Sequence, residues 1–551
     1  GRHHFGSSAA ALPPLPTTLL PTPSTPHSTT PALVHHTSST TTSPLQRQHR
    51  SPLHLRSTSS PPPLHPHSTT PPLHHLYTTS TPPLHHHCTP PLHHHHSTTT
   101  LRHLFSTTTP PPPLLFEMPS HAPCKSFPRI KACRAYAAKN VATSDAGQGA
   151  DCHDVALSHW INGVHPMPIA NPMSCWPQYS GARTSWGINA LGSCVCEVEA
   201  EDGTVGVGVT TAGEPGCYII EKHLSRFVEG EDPRDVERMY DCMWRSTINY
   251  GRKGLPLQAI SAVDLALWDL LGKLRGEPVY ALLGGKTKER LPVYMTTARP
   301  EVAKELGFVW AKIPCPYGPH DGDEGFRKNV EFFKSKRELV GPEYPLALDC
   351  YMALSVPYAI KLGRALAPYG LKWLEEFLPP DDYEGYAEVR RELRGVVLTT
   401  TGEHEYTRYG FRKLIAERAA DVLQPDITWM GGLTEARRVV AMAAAYDLPV
   451  IPHGSSVYSY HLQYAFHNCP VAEFINLSPE ADKVVPYFGG LFLDEPLPKD
   501  GFIDLPDRPG FGVTLNRSGL CRPYPRSDQS SLEQANANKA RAAPTVARAR
   551  L

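Results

Sequence analysis

Three acidic residues, each at the end of a short apolar run, are the first candidates for chemistry in this chain of 551 residues: Asp349, Glu375 and Glu403. They are separated by 26 and 28 residues, the length of one strand, one helix and two loops. Side chains so spaced converge when successive parallel strands close into a barrel, because the carboxyl ends of its strands meet at one mouth. One such Asp alone is more often a helix cap. Three together supply the hard oxygen ligands that Mg²⁺ prefers, so the spacing predicts a magnesium site.

A histidine and a further acidic residue form a second candidate pair. Asp426 follows the run 422–425 and His453 follows 449–452, again one strand–helix unit apart. An Asp at the preceding strand end can accept a hydrogen bond from one ring nitrogen, which fixes the tautomer and raises the basicity of the other nitrogen. We therefore interpret His453 as a general base oriented by Asp426. Glu473, on the next run, is either a buried ion-pair partner or a group that shares a proton with a substrate.

Eight apolar runs predict the strands that position these residues. From the third run onward they recur at about 25-residue spacing and alternate with amphipathic stretches, which is typical of a (β/α)8 TIM barrel. The predicted barrel covers residues 290–476 and carries the metal site. The runs lie at 291–295, 308–313, 345–348, 371–374, 396–400, 421–424, 448–451 and 471–475.

The segment before the barrel predicts a smaller domain. Residues 186–210 alternate apolar with small or polar positions around the dipeptide Asp202-Gly203, which indicates a hairpin, and Ile260 to Leu274 has helical periodicity. Strands followed by helices predict an α+β capping domain over residues 125–285, with the irregular segment 477–524 returning to it.

The first fifth of the chain has a different composition. Residues 1–117 hold 19 of the 29 His and 23 of the 58 Pro, and the unit Thr-Pro-Pro-Leu-His-His recurs at Thr70, Thr81 and Thr89. Such a sequence cannot bury enough apolar surface to offset chain entropy, so residues 1–120 are predicted to be a disordered arm and 525–551 a flexible tail. Met118 is a candidate start, and we expect deletion of residues 1–117 to leave kinetics and thermal stability unchanged. An alternative is that this His-rich arm binds metals or partners.

Charge and cysteine usage exclude several classes of protein. Residues 118–521 carry 42 basic and 50 acidic residues without a basic stripe, which argues against nucleic acid as a partner. The thirteen Cys include no Cys-x-x-Cys pair. We interpret them as reduced thiols of an intracellular protein. No apolar stretch of membrane-spanning length is apparent, so no membrane association is expected. The expected location is the cytoplasm, with the peroxisome as an alternative because Ala549-Arg550-Leu551 is similar to a peroxisomal signal.

Several longer motifs resemble one family, L-rhamnonate dehydratase, in the mandelate racemase group of the enolase superfamily. Strand-end Asp, Glu and Glu followed by Asp and His is the pattern of that superfamily, and the similarity runs from about residue 127 to residue 524. The motifs are Ser193 to Glu199, Val209 to Glu214, Tyr317 to Asp323, Leu374-Glu375-Glu376, Leu378-Pro379-Pro380, Ile451 to Ser459, Gly510 to Val513 and Arg522-Pro523-Tyr524.

The resemblance implies a hydro-lyase that uses one Mg²⁺ per subunit to remove water from L-rhamnonate, giving 2-keto-3-deoxy-L-rhamnonate. It also implies a homo-oligomer, an octamer, and two substrate-binding residues in the capping domain, His153 and Arg183. His453 would take the C2 proton and return it to the leaving 3-hydroxyl, and Glu473 would hydrogen-bond the substrate carboxylate. Extra residues around 165–170 leave the geometry of the capping loop open.

One departure from the superfamily concerns the second strand. Many members place two lysines there as a second base, whereas this chain has Trp310 and Lys312. One His base fits elimination better than racemisation. Glu376 follows Glu375 directly, and since successive strand residues face opposite ways, only one of the two is expected to face the metal. Alternatives are a dehydratase of L-lyxonate or L-mannonate, or a non-catalytic paralogue on the same scaffold.

Overall fold

The computed structural model describes residues 127–138, 167–181, 183–188 and 190–526. The chain divides into two units, Gly1–Pro113 and Leu114–Leu551, and all described residues belong to the second. The predicted arm, residues 1–120, lies outside the described residues, as does the predicted tail apart from residues 525 and 526.

A four-stranded antiparallel sheet forms the base of the capping domain. The predicted hairpin is its central feature, with Gly203 at the turn in the left-handed region (φ +86°) that favours glycine. The last strand comes from the returning C-terminal segment, which pairs antiparallel with the first strand. The strands are β1 (Ile130–Ala138), β2 (Cys194–Ala200), β3 (Val205–Thr210) and β12 (Leu520–Cys521). Their order across the sheet is β12-β1-β2-β3.

One long helix packs closely on this sheet. Gly206 and Gly208 of β3 face it, and a Cβ added at either would come within 2.0 Å of a helix carbonyl oxygen, that of Ala266 or Ala262. Only glycine permits this approach. The capping domain contains α1 (Pro177–Ser180), α2 (Gly213–Lys222), α3 (Val236–Thr247), the long helix α4 (Leu255–Arg275) and α5 (Val279–Leu282).

Helix α4 is the one described helix whose length and hydropathy would allow it to cross a membrane. Its mean hydropathy over 18 residues is 1.3, but 89% of that window is buried inside the protein. A buried core helix passes such a test as readily as a membrane span does, so its apolar composition is explained by packing on the sheet.

The second sheet is parallel and curls back on itself, since β10 pairs with β4. Together with the helices between its strands, it confirms the predicted enolase-like arrangement of an α+β capping domain and a modified (β/α)8 barrel. Its strands are β4 (Leu291–Thr296), β5 (Ala311–Pro314), β6 (Leu346–Asp349), β7 (Leu371–Glu375), β8 (Leu398–Thr401), β9 (Val422–Leu423) and β10 (Ala472–Ile475), with the short β11 (Phe502–Ile503) antiparallel to β4.

The seventh predicted run, 448–451, forms only an isolated parallel bridge between Val450 and Leu423 rather than a full strand. Pro449 and Pro452 flank it and lack a backbone N–H, so they cannot extend the ladder. Backbone N–H groups of Ile451 and His453 still donate to the neighbouring strand segment, which keeps His453 at the strand end.

Helices alternate with the barrel strands, as predicted from the amphipathic stretches. The segment Val356–Leu366 is helical over the whole predicted range. The helices are α6 (Pro300–Glu305), α7 (Gly322–Val340), α8 (Val356–Leu366), α9 (Tyr383–Leu393), α10 (Thr407–Ala416), α11 (Gly432–Ala444) and α12 (Val457–Ala465).

Candidate active site

The three strand-end carboxylates meet at the barrel mouth. Asp349 ends β6 and lies opposite Glu375, the last residue of β7, while Glu403 follows β8 by two residues. One oxygen from each carboxylate lies within 4.8 Å of the other two, and all three residues are buried. The structure therefore brings together the residues that the spacing singled out.

The chemistry of this cluster fits a divalent cation. Burial raises the pKa of Asp349 to about 6. The positive charge of Lys312 acts against this increase, and repulsion from the charge of Glu403 contributes to it. Three crowded, buried oxygen donors are the ligand set that Mg²⁺ takes, and a bound cation would relieve their repulsion. Asp349, Glu375 and Glu403 are thus the residues that would hold the metal ion.

A tight turn presents Glu403 to the cluster. The N–H of Glu405 donates to the carbonyl oxygen of Gly402 (3.1 Å), which leaves Glu403 and His404 at the two central positions. Gly402 has φ +139°, and a Cβ there would lie 3.0 Å from the backbone nitrogen of Gln424. A side chain at position 402 would push β8 away from β9, so the turn depends on glycine.

Beneath the mouth lies a buried lysine that the sequence did not identify as part of the site. The ammonium of Lys312 is 1% exposed and contacts Glu375, Glu473 (2.8 Å) and Asp349 (3.3 Å). Burial alone would lower the pKa of Lys312, but these carboxylates hold it well above its usual range. Lys312 is therefore a counter-charge to the acidic cluster. A lysine between the apolar residues Ala311 and Ile313 was the available signal, since a buried lysine requires acidic partners.

His453 and Asp426 form the predicted pair. Nδ1 of His453 donates to Oδ2 of Asp426 over 2.7 Å, and the other carboxylate oxygen of Asp426 accepts from Thr428 and Ser455. These donors fix the carboxylate, and the carboxylate fixes the imidazole tautomer. Nε2, on the other side of the ring, faces the carboxylate cluster and lies 3.7 Å from an oxygen of Glu403.

The charges around His453 make it strongly basic. Burial alone would lower the pKa of His453, but the charge of Glu403, the hydrogen bond to Asp426 and the charge of Glu473 together raise it to about 10. With Nδ1 held by Asp426 and Nε2 facing the acidic cluster, His453 has the geometry of a general base, a role that it fills once Nε2 has lost its proton.

Glu473 on β10 is ionised and fully engaged. One oxygen accepts from Thr296 (2.5 Å) and Lys312, and the other accepts from the N–H of Gly454 (2.9 Å). Burial would raise the pKa of Glu473, but the positive charges of Lys312 and His453 lower it to about 2. In this state Glu473 accepts hydrogen bonds, so a bond to a substrate carboxylate oxygen requires a proton shared between them.

Glu376 does not follow the strand alternation expected of it. Its φ is +42°, because β7 ends at Glu375 and the chain turns there. The turn brings its carboxylate to Nδ1 of His404 (2.5 Å) and places both groups within 4.8 Å of Glu403. Sequence reasoning missed His404, although its position directly after a candidate metal ligand was a signal. Burial would lower the pKa of His404, but Glu376 and Glu403 raise it to about 9.

A cleft of about 390 Å³ opens beside His404. The ring of Trp429 lies between those of His404 (5.4 Å between centroids) and His453 (5.3 Å). The cleft is bounded by Trp186, Leu191 and Leu255 of the capping domain and by Met352, His404 and Trp429 of the barrel. A small organic molecule in this cleft would contact both domains.

Two predicted substrate-binding residues, Arg183 and His153, belong to the segment that precedes β2. Arg183 begins a short 3-10 helix, Arg183–Trp186, whose last residue lines the cleft. His153 lies outside the described residues. Their roles stay predictions.

Comparison with known proteins places this site in a family. Residues 299–519 match the family model of the enolase C-terminal domain-like fold, and residues 183–284 match the N-terminal domain of mandelate racemase / muconate lactonizing enzyme. The two matches together cover most of the capping domain and of the barrel, including the candidate site, and leave out β1, β4 and β12.

Individual proteins are similar over nearly their whole length. L-rhamnonate dehydratase of Saccharopolyspora erythraea is 56% identical over 379 residues, which span 69% of this chain and 96% of that protein. The crystal structure of rhamnonate dehydratase from Gibberella zeae complexed with Mg is 49% identical, with a TM-score of 0.68 over 72% of this chain and 96% of that one. A racemase from Streptomyces coelicolor A3(2) with bound magnesium is 26% identical, with a TM-score of 0.55 over 70% of this chain and 97% of that one. The chain therefore belongs to the L-rhamnonate dehydratase family of the enolase superfamily.

Proposed function

We propose that this chain is a Mg²⁺-dependent hydro-lyase that removes water from L-rhamnonate to give 2-keto-3-deoxy-L-rhamnonate. The observation that carries the proposal is the position of His453, whose free Nε2 lies 3.7 Å from Glu403 at the edge of the carboxylate cluster. A base beside a metal site can remove the proton next to a carboxylate. The identity to L-rhamnonate dehydratases supports the choice of substrate.

In the proposed reaction, Nε2 of His453 takes the C2 proton while Asp426 holds Nδ1. When bound by Asp349, Glu375 and Glu403, Mg²⁺ supplies positive charge that stabilises the anion formed at C2 and offsets the effect of Glu403 on the pKa of His453. His453 then returns the proton to the departing 3-hydroxyl, so that the C3–O bond breaks and water leaves. The remaining enol takes a proton at C3 and releases the proton of its 2-hydroxyl to solvent, which gives the 2-keto acid.

Other residues bind and orient the substrate in this proposal. Glu473 hydrogen-bonds the carboxylate end through a shared proton or accepts from a hydroxyl. His153 and Arg183 of the capping domain bind the polyol chain. Lys312 balances the charge below the cluster, and the apolar walls of the cleft exclude water.

A panel of acid sugars incubated with the protein and Mg²⁺ tests the proposal by detection of 2-keto products. L-rhamnonate should give the highest kcat/KM, with L-lyxonate and L-mannonate as the alternative substrates. A preference for one of these would correct the substrate, and the absence of any 2-keto product would favour a non-catalytic paralogue.

The remaining proposals concern assembly and location. We expect a homo-oligomer, an octamer as the family resemblance suggests, which light scattering will measure. We expect no nucleic acid or membrane partner, and a cytoplasmic location that fractionation of cells will test against the peroxisome.

A further inference from the structure

A lysine of the capping domain pairs with a buried carboxylate of the barrel. Lys253 lies between α3 and α4, and its ammonium donates to Asp381 (2.6 Å), to the hydroxyl of Tyr383 (3.3 Å) and to Glu405 (3.1 Å). The side chain of Glu405 is 2% exposed, whereas that of Asp381 is 78% exposed. Within the described part of the chain, no other basic side chain lies within 4 Å of the Glu405 carboxylate. A buried negative charge of the barrel is thus neutralised from the other domain.

Glu405 also closes the turn that presents Glu403. Its own N–H donates to Gly402, as described above, and its carboxylate accepts from the N–H of Tyr406 (2.6 Å) and the hydroxyl of Tyr383. The carboxylate packs against α10 so closely that a Cβ at Gly410 would come within 2.1 Å of it. A shift of the Glu405 side chain would therefore move the turn.

The residues next to Lys253 form part of the cleft wall. Gly254 and Leu255 line the cleft together with His404 of the turn and Tyr406, which follows the turn. The ion pair between Lys253 and Glu405 thus connects the wall that the capping domain contributes with the loop that carries a proposed metal ligand.

We propose that Lys253 is a positioning residue whose ion pair with Glu405 holds the Glu403–His404 turn in the geometry that binds Mg²⁺. The proposal rests on the proposed function for the role of Glu403 as a ligand. A buried carboxylate that loses its cationic partner moves towards water, because its charge is no longer compensated. This movement displaces the turn, and the loss of a residue that supports a metal ligand typically weakens metal affinity about 10- to 100-fold.

The test compares K253M with three further variants, with the Mg²⁺ dissociation constant measured by calorimetry without substrate. K253M should raise that constant about tenfold or more. K253R, which keeps the charge, should remain near wild type. D381N is the matched control, because it removes only the exposed partner of Lys253, and exposed ion pairs contribute little. The double variant K253M/E405Q removes the unpaired charge and should recover most of the lost affinity.

Two results would overturn the proposal: a Mg²⁺ dissociation constant for K253M equal to that of D381N, or a double variant no better than K253M. If K253M does not fold, K253Q replaces it, since the glutamine amide can still donate a hydrogen bond to Glu405 but carries no charge. A wild-type Mg²⁺ affinity in K253Q would equally overturn the proposal. Because affinity is measured without substrate, a protein that binds Mg²⁺ but dehydrates no acid sugar would contradict the proposed function without deciding this inference. In the active enzyme, K253M should lower kcat at limiting Mg²⁺, and saturating Mg²⁺ should recover most of it.

Discussion

Pro314 lies directly opposite Asp349 in the parallel ladder between β5 and β6, and Asp349 lies opposite Glu375 in the next ladder. The position on the second barrel strand that is level with these carboxylates therefore has no titratable side chain. Lys312 lies two residues earlier, one layer deeper, with its ammonium engaged by acidic groups. The second strand supplies a counter-charge and no base, which agrees with an elimination that uses His453 alone.

Replacement of Lys312 by Met should lower thermal stability without abolishing proton removal at C2. Removal of one partner from a buried ion pair typically costs about 3–5 kcal/mol, because the remaining carboxylates lose their counter-charge. Exchange of the C2 proton with D₂O, followed by NMR, should remain measurable in K312M. If exchange stops in K312M and continues in H453N, the roles of the two residues are reversed.

Each of D349N, E375Q and E403Q should abolish turnover while circular dichroism shows an intact fold. Every substitution removes one charge from a site that needs about three anionic oxygen ligands. E384Q is a suitable control, since Glu384 lies on the surface with its side chain 73% exposed. Activity that survives chelation by EDTA, or a near wild-type rate in E403Q, would rule out the metal assignment.

H453N should reduce kcat by several powers of ten while Mg²⁺ still binds, because the imidazole moves the proton and is not among the proposed ligands. D426N should do less harm, since Asp426 orients His453 and does not carry the proton. Deuterium from D₂O should appear at C3 of the product of the wild-type enzyme. A D426N variant slower than H453N would contradict these roles.

We predict that His461 makes the stability of the folded chain sensitive to acid. It is fully buried, its Nδ1 accepts from the N–H of Tyr280 (3.1 Å), and its Nε2 donates to the carbonyl oxygen of Phe511 (3.2 Å). Burial lowers the pKa of His461 to about 3. The unfolded chain takes up a proton near pH 6.5 and the folded chain does not, so stability falls as pH drops from about 6.5 towards 3, by about 1.4 kcal/mol per pH unit from this residue.

Melting temperatures between pH 6 and 4.5 test this contribution. The melting temperature of H461Q should decrease less with falling pH than that of the wild type. In the variant, the unfolded chain no longer binds the one extra proton that His461 takes up in the wild type. His467 is exposed and provides the control, so H467Q should decrease like the wild type. Equal decreases in H461Q and the wild type would show that His461 takes up its proton in the folded chain.

The barrel preceded by an α+β domain was predictable because hydrophobic periodicity is local. Apolar runs such as 346–348 and 371–374 mark strands by composition alone, and the acidic residue at the end of each run is then placed at the barrel mouth by topology. The seventh run was less predictable, since the prolines around Val450 removed the donors that a full strand requires.

Regular spacing was enough to predict that Asp349, Glu375, Glu403, Asp426 and His453 stand at strand ends and lie close together, because the strand ends of a parallel barrel share one mouth. The partner of each charged group, by contrast, became known from the folded structure. Lys312 contacts Glu473, which lies 161 residues later in the sequence, and Lys253 contacts Glu405, which lies 152 residues later. Such pairs depend on strand register and on the packing of one domain against the other, and no local pattern encodes either of them. The turn of Glu376 towards His404 is of the same kind, since it follows from where β7 ends.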